Sequence, residues 1–183
     1  MDVRTALLTR CSPAKLAEPA PDDAQLHLML AAAVRAPDHG RLAPWRFLVL
    51  RGAAREILAA AMTEDLREKR PDATAEELAA ARAKPLRSPM LVGAYTAVRE
   101  HPKVPAIEQV TATAAAVQNL WLQAHALGFG MWWKTGAAAY SPRVKSALGI
   151  ADDDTIVGIL HLGTPVAPGT VREPDVAAVV RHL

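Results

Sequence analysis

The apolar positions predict a succession of helices and short strands, with no internal repeat and no low-complexity linker. Val3 to Thr9 reads as a short helix ending near Arg10-Cys11-Ser12-Pro13. Asp22 or Asp23 can cap a second helix from Gln25 to Arg35, in which Leu26, Leu28, Met29, Leu30 and Val34 are apolar and which Pro37 ends. Phe47-Leu48-Val49-Leu50, between Pro44 and Gly52, predicts a strand over Arg46 to Leu50. Ala53 to Lys69 and Thr74 to Lys84 read as amphipathic helices. The second opens Thr74-Ala75-Glu76-Glu77, close to a capping box. A second strand runs from Met90 to Val98, with Pro89 at its start.

Ala106 to Leu127 is the longest predicted helix, and Gly128 supplies its terminator. Val110, Ala114, Val117, Trp121 and Ala124 recur at steps of four and three, one helical stripe. Ala115, Ala116, Leu120 and Leu122 make the other faces apolar too, the pattern of a helix buried in a large core or a subunit interface. Phe129 to Trp133 reads as a short strand, Pro142 to Leu148 as a helix and Thr155 to Leu162 as a strand. Residues 165–183, with three prolines and a Val/Ala-rich end, read as a C-terminal arm on a single domain spanning 1–183. Helices outnumber strands and do not alternate strictly with them, which points to an α+β domain rather than a doubly wound sheet.

Composition narrows the function classes. A chain of 183 residues, 51% hydrophobic and 22% charged, can bury a sizeable core and fits one domain. Its mean hydropathy is only +0.07, and its longest apolar runs are broken or too short to cross a bilayer, so no membrane association is expected. The start lacks a basic segment followed by an apolar one, so a cytoplasmic location is expected. One cysteine excludes an internal disulfide framework and a cysteine-based zinc cluster, and six scattered histidines suggest no metal site. A net charge of +2 is too balanced to argue for nucleic acid, while leaving room for a local anion site. Aromatic residues are sparse, yet tryptophan supplies four of the eight.

The common nucleotide and hydrolase motifs are absent. Gly128-Phe129-Gly130 begins a G-x-G-x-x-G pattern, but Trp133 stands at its third glycine and a helix precedes it. No P-loop, H-E-x-x-H or G-x-S-x-G occurs. Arg10-Cys11-Ser12 places a planar cationic fork and a hydroxyl two residues apart, a compact phosphate clasp. A solvated arginine beside a capping serine would look the same. A second cation and hydroxyl occur at Lys134-Thr135, followed by Gly136 and preceded by Trp132-Trp133. A third segment, Arg35-Ala36-Pro37-Asp38-His39-Gly40, precedes Pro44-Trp45 and the first long strand.

Taken in order, these segments resemble the FMN-dependent nitroreductase family, and within it the short YdjA-like branch. Arg10-Cys11-Ser12 stands at the family's Arg-x-Ser, and Arg35-Ala36-Pro37-Asp38-His39 with Pro44-Trp45 matches its A-P…P-W block. His101-Pro102-Lys103-Val104-Pro105 leads into the long helix. Gly128-Phe129-Gly130 with Trp133-Lys134-Thr135-Gly136 follows, and then Ile156 to Pro165. The resemblance implies a nitroreductase-like α+β fold: a central mixed, largely antiparallel sheet flanked by helices, in an intertwined homodimer with two FMN sites at the interface. It implies that Arg10, Cys11 and Ser12 meet the FMN phosphate and ribityl chain, that Trp133, Lys134 and Thr135 complete that pocket, and that Arg35 and His39 reach the flavin from the partner subunit. It further implies ping-pong transfer of hydride from NADH or NADPH through FMN to a small electron acceptor such as a nitroaromatic or quinone, with no catalytic acid, base or nucleophile from the protein. The sequence also departs from the family. Most members carry a cation two residues after the serine, where this chain has Ala14 with Lys15 beside it. Asp38 to Ala43 replaces the usual Ser-Ser-x-Asn-x-Gln, so the ring contacts and the substrate cavity should differ. A non-catalytic protein that binds, stores or senses FMN is the alternative that the same residues allow.

Overall fold

A computed structural model describes residues 1–183. Its elements in chain order are α1 (Val3–Thr9), β1 (Leu16–Ala17), α2 (Asp23–Ala33), β2 (Trp45–Arg51), α3 (Ala54–Lys69), α4 (Ala75–Ala83), β3 (Met90–Thr96), α5 (Ala106–Ala126), β4 (Gly130–Lys134), α6 (Gly136–Ala139), α7 (Pro142–Ala147) and β5 (Thr155–Pro165), with short 3₁₀ turns at His39–Arg41, Lys84–Arg87 and Ala177–Val179.

The helix starts follow local chemistry. Asp22 accepts from Gln25 N–H while the Gln25 side chain returns to the Asp22 N–H, a complete capping box. Thr74 and Glu77 make the same reciprocal pair at α4. Gly128, at φ 87°, ends α5 in the left-handed region where a side chain would be strained.

Every strand pairing is antiparallel, and the sheet runs β2-β3-β5, with β4 and β1 following one another along the other side of β5. β5 is therefore central. It is buried at eight consecutive positions, because helices cover both faces. Helices α2 and α5 bring Met29, Ala116, Val117, Leu120 and Ala124 against Met90, Val92, Met131, Leu160 and Leu162. Helices α3, α6 and α7 bring Leu58, Ala138, Ala139 and Val144 against Leu50, Leu91, Ile156 and Ile159. A register shift opposite Ala94 and Tyr95 skips Val157, which lets Ile156 and Ile159 share one face.

Helix α5 corrects one expectation. Its buried row is Gln109, Ala112, Thr113, Ala116, Val117, Leu120, Trp121 and Ala124, whereas Val110 and Ala114 are only half-buried. Two polar residues can enter the core because both are satisfied. The Gln109 amide donates to the Arg99 carbonyl at 2.7 Å, and Thr96 donates to the Thr113 hydroxyl at 2.9 Å. The apolar residues left on the outer faces, Ile107, Val110, Ala114 and Leu122, have no complete cover within one chain. No helix is long and apolar enough to cross a membrane.

Residues 166–183 lie almost wholly exposed. They pass beside α1 and the Arg10–Ser12 segment, where Leu7, Leu8, Arg10, Cys11 and Ser12 share a hollow with Pro168 to Arg172.

Candidate functional site

Strand alternation sorts the residues around β4. Met131 and Trp133 face α5 and the larger core, while Trp132 and Lys134 face the opposite side. On β5, His161 stands opposite Trp132 and Ile159 opposite Lys134, so these four side chains share one surface. That surface floors a cavity of about 620 Å³, walled by Leu58 and Met62 of α3, by Lys84, Pro85 and Arg87, by Ser12 to Ala14, and by Thr135 to Ala138.

The cavity is cationic. Lys84, Arg87 and Lys134 line it, no carboxylate does, and none of the three is in an ion pair. Lys134 Nζ sits 5.6 Å from the centre of the Trp132 ring, and the Trp132 indole N–H donates to the Pro13 carbonyl. That bond ties the Arg10–Ser12 loop to β4. His161 is buried beneath them, its ring centre 5.4 Å from that of Trp132. Burial, reinforced by Lys134 and Arg87, pushes His161 down to about 4, so it is neutral at physiological pH. It adds no charge to the cavity.

Arg10 is positioned from the other side. Helix α1 docks on the C-terminal half of α5, where the Thr9 hydroxyl lies 2.9 Å from His125 Nε2 and the Arg10 guanidinium stacks 4.1 Å from the centre of the Trp121 ring. Burial, and then the Arg10 charge, hold His125 below its usual value. No carboxylate pairs with Arg10 either.

Of the residues singled out in the sequence, Ser12, Lys134 and Thr135 line the cavity, while Arg10 and Cys11 line the adjoining hollow that Ser12 also borders. Trp133 turns its indole to the core side, donating to the Val157 carbonyl at 2.9 Å. Arg35 and His39 lie elsewhere and border neither space. His39 Nδ1 meets Glu108 Oε2 at 2.5 Å, at the N-terminal end of α5. The turn that carries it is strained, with Arg41 and Ala43 at φ 55° and 44°, and the Asp38 carboxylate accepting the Ala43 N–H at 2.6 Å. Trp132, His161, Lys84 and Arg87 were not anticipated. The period of two along β4 was the one available signal, since it puts Trp132, not Trp133, beside Lys134.

The sequence profile of the Nitroreductase family matches residues 10–164. The chain belongs to that family. It is 38% identical over 185 residues to the Escherichia coli (strain K12) protein named "Putative NAD(P)H nitroreductase YdjA", covering all of both chains. A Haemophilus influenzae protein, also named an NAD(P)H nitroreductase of putative standing, is 35% identical over 170 residues, 90% of this chain and 89% of its own. Among solved structures, a nitroreductase-like family protein from Bacillus cereus superposes with a TM-score of 0.80 at 26% identity, over 100% of this chain and 96% of that one. A Desulfovibrio desulfuricans structure described as a complex with FMN has the same fold, with a TM-score of 0.76 at 22% identity over 100% and 97% of the two chains.

Proposed function

We propose that this nitroreductase-family chain is an FMN-dependent oxidoreductase that takes hydride from NADH or NADPH and passes it to a small oxidant such as a nitroaromatic or quinone, the two substrates occupying one cavity in turn. The observation that carries the reading is the carboxylate-free cavity beside the family's two cofactor segments. Its donors suit FMN. Lys134, with Arg10 at its margin, can balance a phosphate of roughly −1.5 to −2 charge. Ser12 and Thr135 add hydroxyls, and the Trp132, Met62 and Ile159 surface suits a flat ring. A volume of about 620 Å³ lies within the range of roughly 300–1,000 Å³ usual for small-molecule sites. When bound, FMN supplies the hydride chemistry at its ring. The residues of this chain bind, orient and neutralise. The buried His161 stays uncharged, and no Ser–His–carboxylate or Cys–His arrangement lines the cavity, so the protein supplies position rather than a nucleophile. The names of the Escherichia coli and Haemophilus influenzae relatives support a nicotinamide nucleotide as the reductant.

The placement of His39 supports a shared site. Glu108, which holds His39, and Trp121, which carries Arg10, are separated by about 20 Å along α5 at 1.5 Å per residue. Within one chain His39 therefore lies far from Arg10, toward the other end of α5. Two copies with their α5 helices antiparallel across a two-fold axis would cover Ile107, Val110, Ala114 and Leu122, and would set Arg35 and His39 of the partner subunit against the Arg10 end.

The visible spectrum of the purified protein tests the reading. A yellow preparation with flavin bands, bleached by NADH or NADPH and restored by a nitroaromatic or quinone, is expected. Bands that no reductant bleaches would make this a storage or sensing protein, and a preparation that stays colourless after incubation with FMN would refute the reading. Arg10→Glu or Lys134→Glu removes a charge-assisted bond and adds repulsion, so FMN affinity should fall roughly ten- to a hundredfold in a folded protein.

A further inference from the structure

His161 is not among the residues the family resemblance supplies, yet it lines the cavity. Its hydrogen bonds fix what it offers there. Ser88 Oγ lies 2.9 Å from His161 Nδ1 and 3.1 Å from the Met90 carbonyl oxygen. A hydroxyl has one proton, and a carbonyl oxygen can only accept. Both contacts are satisfied when Ser88 donates to Met90 and its oxygen accepts from a protonated Nδ1. The neutral ring then has an unprotonated Nε2. That atom has no hydrogen-bond partner within the protein, and it is not sealed away either, because the buried side-chain polar atom without a partner is Arg51 Nε. The Nε2 lone pair is therefore reached from the cavity. Around it Lys84, Arg87 and Lys134 are donors only, and the hydroxyls of Ser12 and Thr135 can act either way. His161 is thus a neutral, directed acceptor among cations, suited to a hydroxyl donor on a ligand whose other end is anionic.

We infer that His161 Nε2, held in this tautomer by Ser88, accepts a hydrogen bond from a hydroxyl of the polyol chain joining the phosphate and the ring of the flavin. The inference rests on the FMN reading above and deepens it, adding a residue that recognises the chain between the two ends. It assigns Ser88 a positioning role: without its oxygen, Nδ1–H loses its partner and the ring is free to present either nitrogen.

Equilibrium binding of FMN and of its 2′-, 3′- and 4′-deoxy analogues to wild-type protein, His161→Phe and Ser88→Ala tests this, followed by flavin fluorescence. Wild type is expected to bind one of the analogues about tenfold more weakly than FMN, the scale of one lost hydrogen bond. His161→Phe, which keeps a ring against Trp132, should bind FMN and that analogue alike, and Ser88→Ala should discriminate less than wild type. The ¹⁵N resonances of the native histidines supply a measurement independent of any variant's folding, with His161 expected to be protonated at Nδ1 and bare at Nε2 near neutral pH. Equal affinity of wild type for FMN and all three analogues, unchanged discrimination in His161→Phe, or a proton on Nε2 would each overturn the inference while leaving the flavin reading intact. Failure of wild type to bind FMN at all would overturn that reading and this inference with it.

Discussion

Between pH 6.5 and about 4, the folded chain keeps His161 neutral while an unfolded chain protonates it. The unfolded state then binds more protons, so this contribution is complete above pH 6.5 and is lost as the pH falls toward 4. At 1.36 kcal/mol per unit, the loss amounts to about 3 kcal/mol. Urea unfolding midpoints should decline through this window, and His161→Phe should flatten most of the decline. His125, lowered in the same direction, keeps the remainder. Asp65 acts in a different window. Burial tends to raise its carboxyl, but hydrogen bonds from Lys69 and Ser141 prevail and hold it below 3.8, so its contribution is present above 3.8 and fails only in stronger acid. At the residue scale the sequence exposed the cations and hydroxyls of Arg10, Ser12, Lys134 and Thr135, since each cation stands within two residues of its hydroxyl. It concealed His161, Lys84 and Arg87, because single residues on two segments, the Lys84–Arg87 turn and β5, acquire meaning only when the fold sets them around one cavity.

Helix α7 depends on a buried cap. Ser141 Oγ accepts the Val144 N–H at 3.2 Å and donates to Asp65 Oδ1 at 2.5 Å, and Lys69 donates to the other carboxylate oxygen at 2.9 Å. The cap thus joins α7 to α3. Ser141→Ala should cost about 1–2 kcal/mol in urea titration. Asp65→Ala should cost a similar amount, and the double variant less than the sum, because both break one network. Where an element carries its own start or stop signal, the sequence located it well. Asp22 with Gln25, Thr74 with Glu77, and Gly128 all act at the predicted ends. Strand β1 and helix α6 escaped notice for want of length. Two residues have no periodicity, and Gly136–Ala139 is a single turn whose alanines signal nothing. The stripe expected on α5 holds at Val117, Trp121 and Ala124 but is off by one position at Val110 and Ala114, because Gln109 and Thr113 look like surface residues until their buried partners are known.

At the scale of the molecule, a site divided between chains has a stoichiometric consequence. Suppose Arg10→Glu and the pair Arg35→Glu with His39→Ala each abolish FMN binding in their own homodimers. A mixed dimer then holds one native site and one broken from both sides, and it should bind about one FMN where wild type binds two. Differently tagged chains, co-expressed and purified through both tags, allow the count. No flavin in a folded mixed dimer would show that the two segments do not meet across the interface. The position of β5 in the sheet has a consequence of another kind. Every other strand except β2 hydrogen-bonds to it directly, and β1 reaches it across nearly the whole chain, Leu16 pairing with Pro165. During synthesis residues 1–154 of the 183 are made before any of the central strand exists. Hairpin β2–β3 and the helices can form early, but the tertiary fold must wait. Nascent chains arrested before Thr155 should therefore be degraded readily by added protease, with resistance arising abruptly when the chain is extended at its C-terminus by a linker long enough to carry Pro165 out of the exit tunnel.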